Sequence, residues 1–250
     1  MLTRKFCILS ILLLVGVSVT KAQYDPSFSH YYDMETSFNP SAAGRQAYLN
    51  VVAAYAMDMA GYEHNPRTAY VSADMPFRAL RSFHGVGVNF MNDQIGLFTH
   101  TKLNLQYAFQ MPLFKGHLRL GAEVGFISEK FDGSQVDLGD SSDPAFSTAD
   151  LTGSSIDLGA GLFYTHGQWY GGASVHHLNS PLVSLGDNNE LKILPTYYFT
   201  GGGNISFRNP FITLKPSLLF RTDGTGWRGD ITGRLVYNDG DKMLYIGATY

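Results

Sequence analysis

Residues 97–111 read LFTHTKLNLQYAFQM, and in them Leu97, Thr99, Thr101, Leu103, Leu105, Tyr107, Phe109 and Met111 alternate with Phe98, His100, Lys102, Asn104, Gln106, Ala108 and Gln110. A period of two puts the two sets on opposite faces of a strand, one suited to an apolar medium and one to water. A tight connection at 112–116 leads to a second run, with Leu118, Leu120, Ala122, Val124 and Phe126 set against His117, Arg119, Glu123 and Ser128. The pair reads as a long hairpin. At about 3.3 Å per residue each run exceeds the usual strand of a soluble protein and reaches the span of a tilted membrane strand.

Working outward, the same alternation recurs, richer in glycine, at 49–59, 68–76, 83–92, 154–165, 168–178, 196–206, 210–220, 227–237 and 243–250. With the hairpin this makes about eleven strands. Connections after odd-numbered strands include the long polar stretches 129–153 and 179–195; those after even-numbered strands are short, as at 112–116, 166–167, 207–209 and 238–242. Outer-membrane barrels carry long loops outside and short turns in the periplasm, so the parity puts the start of the barrel on the periplasmic side. The short connection 93–96 breaks the trend. Single-chain bacterial barrels have an even strand number, and an unpaired edge in lipid leaves backbone groups unsatisfied. Since the last run reaches Tyr250, the expectation is a barrel truncated at its C-terminal end.

The fold class expected is therefore all-β, an antiparallel transmembrane outer-membrane β-barrel. Composition agrees, with 14% aromatic residues, 27 glycines and only 16% charged residues, as suits strands that each show one face to lipid. A net charge of −3 offers no basic footprint for nucleic acid. At the N-terminus Arg4 and Lys5 precede an apolar run from Phe6 to Val19 and then Thr20-Lys21-Ala22. That is the order of a secretory signal, cut between Ala22 and Gln23, and the run is too short to span a bilayer. The lone Cys7 lies within it, which removes disulfides and thiolate metal sites from the mature chain. The expected organisation is a signal peptide at 1–22, an N-terminal periplasmic segment at 23–48 and one barrel domain at 49–250.

Nothing in the sequence builds an active site or calls for a cofactor. No Gly-x-Ser-x-Gly elbow is present, and a triad is a matter of geometry rather than of residue supply. His176 and His177 are adjacent; on a regular strand they point to opposite faces and cannot chelate one ion, so they read as lumenal or interfacial residues. The acidic stretch 129–153 lacks EF-hand spacing and reads as a solvated loop. His100, Lys102, Asn104, Gln106, Arg119 and Glu123 read as structural or pore-lining groups on the polar face of the hairpin. Met75-Pro76 and Met111-Pro112 are expected to end two strands.

The opening of the expected mature chain, Gln23-Tyr24-Asp25-Pro26-Ser27-Phe28-Ser29-His30-Tyr31, is followed by Phe38-Asn39-Pro40-Ser41-Ala42-Ala43-Gly44. Further blocks are Asn65-Pro66-Arg67-Thr68, Ser72-Ala73-Asp74-Met75-Pro76, Gly85-Val86-Gly87-Val88 and Asn92-Asp93-Gln94-Ile95-Gly96. On these blocks, dense from Gln23 to about Gly125, the chain resembles the PorP/SprF family of type IX secretion system membrane proteins. The resemblance implies an outer-membrane barrel of the secretion and gliding machinery of Bacteroidota. It also implies lipid as surroundings and periplasmic ring or other translocon proteins, or an exported surface adhesin, as partners. Members commonly extend beyond this chain's end.

Asp25-Pro26 and Asn39-Pro40 favour turns, so 23–44 is a shaped leader into the first strand that folds into the barrel mouth or docks on a partner. Tyr24, Phe28, Tyr31, Tyr32 and Phe38, with Asn39 and Pro40, are the expected partner-binding residues; the aromatics could equally pack within the barrel. The competing expectation to a non-catalytic secretion component is a porin or small-solute transporter, which the polar inward faces also permit.

Overall fold

The computed structural model describes residues 24–62, 64–135, 150–186, 189–240 and 242–250. The expected signal peptide and most of the acidic stretch lie outside them. Eleven strands form one continuous antiparallel wall: β1 (Asn50–Met57), β2 (Arg67–Ala79), β3 (Ser82–Ile95), β4 (Phe98–Leu113), β5 (Gly116–Phe131), β6 (Leu151–His166), β7 (Trp169–His176), β10 (Thr196–Gly203), β12 (Ile212–Thr222), β13 (Trp227–Asn238) and β14 (Met243–Thr249). A short hairpin, β8 (Leu182–Leu185) with β9 (Asn189–Lys192), stands apart, and β11 (Ile205–Ser206) flanks β12. Among the described residues β1 and β14 pair with the rest of the wall and not with each other.

The burial pattern is that of a membrane barrel with its two environments exchanged relative to a soluble protein. Along β4, Leu103, Leu105 and Tyr107 are exposed while Lys102, Asn104 and Gln106 are buried; along β5, Leu120, Val124 and Phe126 are exposed while Arg119 and Glu123 are buried. Apolar side chains directed outward and charged ones inward are stable only when the outer medium is hydrocarbon. β4, β5 and β6 have 16 residues each, more than the roughly 9–11 that a tilted strand needs to cross.

Three expectations change, and the N-terminal segment 23–48 takes a definite course: Tyr24 to Gly44 runs along the inside of the wall. Its side chains and backbone bond to β2, β5, β7, β10, β12 and β13. Pro76 and Pro112 do not end their strands, because β2 and β4 continue through them with Pro76 opposite Gly85 and Pro112 opposite His117. A proline forfeits only the ladder bond of its own nitrogen, and the flanking pairs hold. Glu129 is not part of a solvated loop but the buried third-last residue of β5. The connection after β7 is not plain loop: the alternation Leu182-Val183-Ser184-Leu185 forms the β8 hairpin, whose inner face, with Val183 and Ile193, packs on Ile127.

Candidate functional site

The interior is filled by a plug made of residues 24–44. Three single-turn 3-10 helices, Tyr31–Asp33, Glu35–Ser37 and Pro40–Ala42, fold it compactly. Asn39 caps the third: its backbone is extended, its Oδ1 accepts from Ser41 N at 3.0 Å, and Pro40 takes the first helical position, where its missing N–H costs nothing. That is the physical content of the Asn-Pro-Ser-Ala-Ala-Gly run.

The wall opposite that run is a belt of small residues. Strand register puts Gly85 opposite Ala108, Ala108 opposite Gly121, Gly121 opposite Gly161, and Gly161 opposite Ser174. Against this belt lies the plug backbone. A Cβ on Gly85 would stand 1.9 Å from Ala43 O, one on Gly121 2.2 Å from Ser41 N, and one on Gly161 2.2 Å from Asn39 Oδ1. Ser174 donates its hydroxyl to Phe38 O, and Arg119 donates to Ser41 O at 2.9 Å and to Ala43 O. Gly44, at φ +64°, turns the chain out of the groove while its N–H is held by Asp74 at 2.8 Å.

The first plug residues reach the opposite end, near the long connections. Tyr24 OH lies 2.6 Å from His100 Nδ1 and donates to Glu129. Asp25 accepts from Tyr198 OH at 2.6 Å and pairs with His177 Nε2 at 3.3 Å, while Arg221 Nη1 donates to the carbonyls of Asp25 and Pro26 at 3.0 Å each. The polar chain continues across the wall, from His177 to Asp157 at 3.0 Å, Asp157 to Lys102 at 3.2 Å, and His176 to Glu123 at 2.9 Å. Burial alone would raise the Asp25 carboxyl, yet the attraction of His177 and Lys102 outweighs it and holds the group well below the usual carboxylate range. Burial pushes the Tyr24 phenol upward, reinforced by the Glu129 carboxylate.

His176 and His177 both turn inward, which adjacent residues of a regular strand do not do. His177 has φ +55° just past the end of β7, so the alternation breaks there and the two rings stand 6.3 Å apart inside the lumen. Among the described residues no group of three or more His, Cys, Asp or Glu is arranged to hold a metal ion.

Of the expected partner-binding residues, Tyr31, Phe38, Asn39 and Pro40 are buried within the chain. Tyr31 and Phe38 pack with Tyr198 and Leu219, and Asn39 donates to Leu162 O at 3.1 Å. Tyr24 and Phe28 are partly buried against the wall. Tyr32 reaches the short-turn mouth, where the Arg234 guanidinium lies 3.7 Å over its ring. There two vestibules of about 440 and 250 Å³ share Tyr32, Asp33, Glu35, Arg45, Gln46 and Tyr48 in their linings. Arg45 pairs with Glu35. Burial raises the Glu35 carboxyl by more than Arg45 lowers it, so it stays above the usual range. The glycine belt was not foreseen from the sequence; its signal is the coincidence of Gly85, Ala108, Gly121 and Gly161 on one line once the hairpin registers are drawn.

Fold and interior together define a membrane β-barrel whose lumen is filled by its own N-terminal segment. A family model described as type IX secretion system membrane protein PorP/SprF matches residues 20–250, and the chain belongs to that family. It is thus a membrane component of type IX secretion. No curated protein and no solved structure matches the chain.

Proposed function

We propose that this barrel is a non-catalytic outer-membrane component of the type IX secretion and gliding machinery, which works by binding translocon proteins or an exported surface cargo. The observation that carries the reading is the filled lumen. Phe38, Asn39 and Ser41 are buried between plug and wall, so the barrel acts as a platform and its chemistry toward partners lies at its two mouths. At the short-turn mouth the vestibule combines Arg45, Lys215 and Arg234 with Tyr32, Tyr48 and Tyr245. Aromatic and arginine side chains are the groups that dominate binding energy in interfaces. This mouth suits a periplasmic translocon partner. Of the residues expected to bind a partner, Tyr32 is the one this proposal retains.

The test is a crosslinked affinity purification from the native outer membrane, comparing the intact chain with Tyr32→Ala/Tyr48→Ala. The expected result is recovery of type IX components by the intact chain and their loss in the variant, with heat-modifiable migration unchanged in both. A folded barrel that comes down alone in both forms overturns the reading.

A further inference from the structure

The plug is held in two different ways along its length. From Asn39 to Gly44 it is packed backbone to backbone on the glycine belt, with a capped helical turn and no intervening space. From Tyr24 to Ser29 it is an arm that belongs to no helix or strand and bends at Tyr24 and Asp25, and among the described residues no backbone–backbone hydrogen bond ties it to the wall. Its attachments are side-chain ones. Beneath it lies a cavity of about 50 Å³ lined by Lys102, Asn104, Tyr198, Arg221 and Asp230 among others. Asn89 Oδ1, Asn104 Oδ1 and Arg221 Nε, on residues lining this cavity, are buried without a partner, which is costly for polar atoms.

The wall groups that hold the arm have the makeup of a peptide receptor. Arg221 grips two consecutive backbone carbonyls where the arm bends, a contact made to the main chain and not to any particular side chain. Side-chain selection is added by two pockets. One surrounds an aromatic ring with His100 at 4.4 Å and His177 at 5.3 Å between centroids, both edge-on, and bonds its hydroxyl through His100 and Glu129. The other receives a carboxylate from Tyr198 and His177. Nothing covalent ties these groups to residues 24 and 25 in particular. The site also lies at the long-connection end, under the β8–β9 hairpin whose Val183 and Ile193 pack with Tyr24.

We propose that the lumenal site filled by Tyr24 and Asp25 is a peptide-binding site, occupied in cis by the arm and open in trans to a segment carrying an aromatic residue followed by a carboxylate. The Asn39–Gly44 portion remains anchored when the arm leaves. The inference stands on plug geometry and is independent of the secretion reading, so a barrel that recovers no translocon protein still gives a clear answer here.

The test uses the single cysteine of the chain lying at position 7, within the expected signal peptide. Asn104→Cys reports on the cavity under the arm and Ser41→Cys on the anchor, both read by maleimide labelling of the full chain folded in detergent and counted only in heat-modifiable material. With Tyr24→Phe/Asp25→Asn added, labelling at position 104 is expected to rise roughly tenfold or more, as local opening of the arm becomes easier, while position 41 stays protected. The synthetic peptide QYDPSFS is expected to restore protection at 104 and QYNPSFS to fail. Unchanged labelling at 104, labelling at 41 together with 104, or no difference between the two peptides overturns the proposal. If the double variant does not fold, Asp25→Asn alone carries the same readout.

Discussion

Gly121 and Ser41 meet so closely that a single added carbon on the glycine would sit 2.2 Å from the serine backbone nitrogen. The neighbouring contact, Gly85 with Ala43 O, is tighter still at 1.9 Å. Gly85→Ala and Gly121→Ala are therefore expected to push the Asn39–Gly44 run off the wall, at the cost of about 1–3 kcal/mol that overpacking brings. Gly233, which has nothing within 4 Å of its virtual Cβ, serves as the control: Gly233→Ala should stay within about 0.5 kcal/mol of the parent. Denaturant unfolding of the refolded barrel compares the three. Equal effects at 121 and 233 would show that the plug is not seated on the belt.

Arg119 connects the same run to β5. Its Nε donates to Ser41 O at 2.9 Å, one terminal nitrogen donates to Ala43 O, and the other donates to Gln110 Oε1 at 2.8 Å. Lysine carries the charge but not the planar fork, so Arg119→Lys cannot serve all three acceptors. Each buried carbonyl left without a donor costs about 1–3 kcal/mol. The expected outcome is a loss of stability in Arg119→Lys close to that of Arg119→Ala. Full retention in the lysine variant would mean that charge alone holds the plug.

Much of this architecture was legible in the sequence, for a definable reason. The period-two alternation at 97–111 carries the fold because lipid and lumen impose opposite polarity on successive residues, and Lys102, Asn104 and Gln106 do turn inward while Leu103 and Leu105 turn outward. Eleven wall strands are present where about eleven were expected. The plug was less legible. Turn chemistry located Asn39-Pro40 correctly, but parity concerns where strands start and says nothing about a segment that travels the length of the lumen before β1. His177 misled for a local reason, since a positive φ at one residue cancels the alternation rule. The belt depends on registers between five strands, and no single stretch of sequence contains it.

Two plug carboxyls respond to pH in opposite senses. Asp25, held below its ordinary range by His177 and Lys102 against the effect of burial, contributes stability that is present above its unfolded value of 3.8 and is lost as pH falls through the lower folded value. Glu35, raised chiefly by burial, contributes stability that is present below 4.5 and is lost as pH rises through its higher folded value. Glu35→Gln should then flatten the decline of thermal stability on the alkaline side of pH 4.5, and Asp25→Asn should flatten the decline on the acid side of pH 3.8. Thermal unfolding in detergent from pH 2 to 8 reads both. A Glu35→Gln curve parallel to the parent above pH 4.5 would contradict the assigned burial of that group.

The filled lumen bears directly on the competing reading of the barrel as a solute channel. Open space is present at the short-turn mouth, in the vestibules of about 440 and 250 Å³, but beyond them Phe38, Asn39, Ser41 and Ala43 are buried against the wall. The cavity under the arm, of about 50 Å³, is room for a few waters and not a conduit. A diffusion pore needs a continuous aqueous path, as the wide porins have. The intact barrel is therefore expected to show no steady conductance in a planar bilayer at moderate salt. Displacing the plug should change that: Gly85→Ala/Gly121→Ala is expected to give intermittent openings in material that still migrates as a folded barrel. Steady current from the intact protein would make transport its function and the plug a mobile gate; silence in the parent with openings in the double variant would show that Asn39–Gly44 seals the lumen.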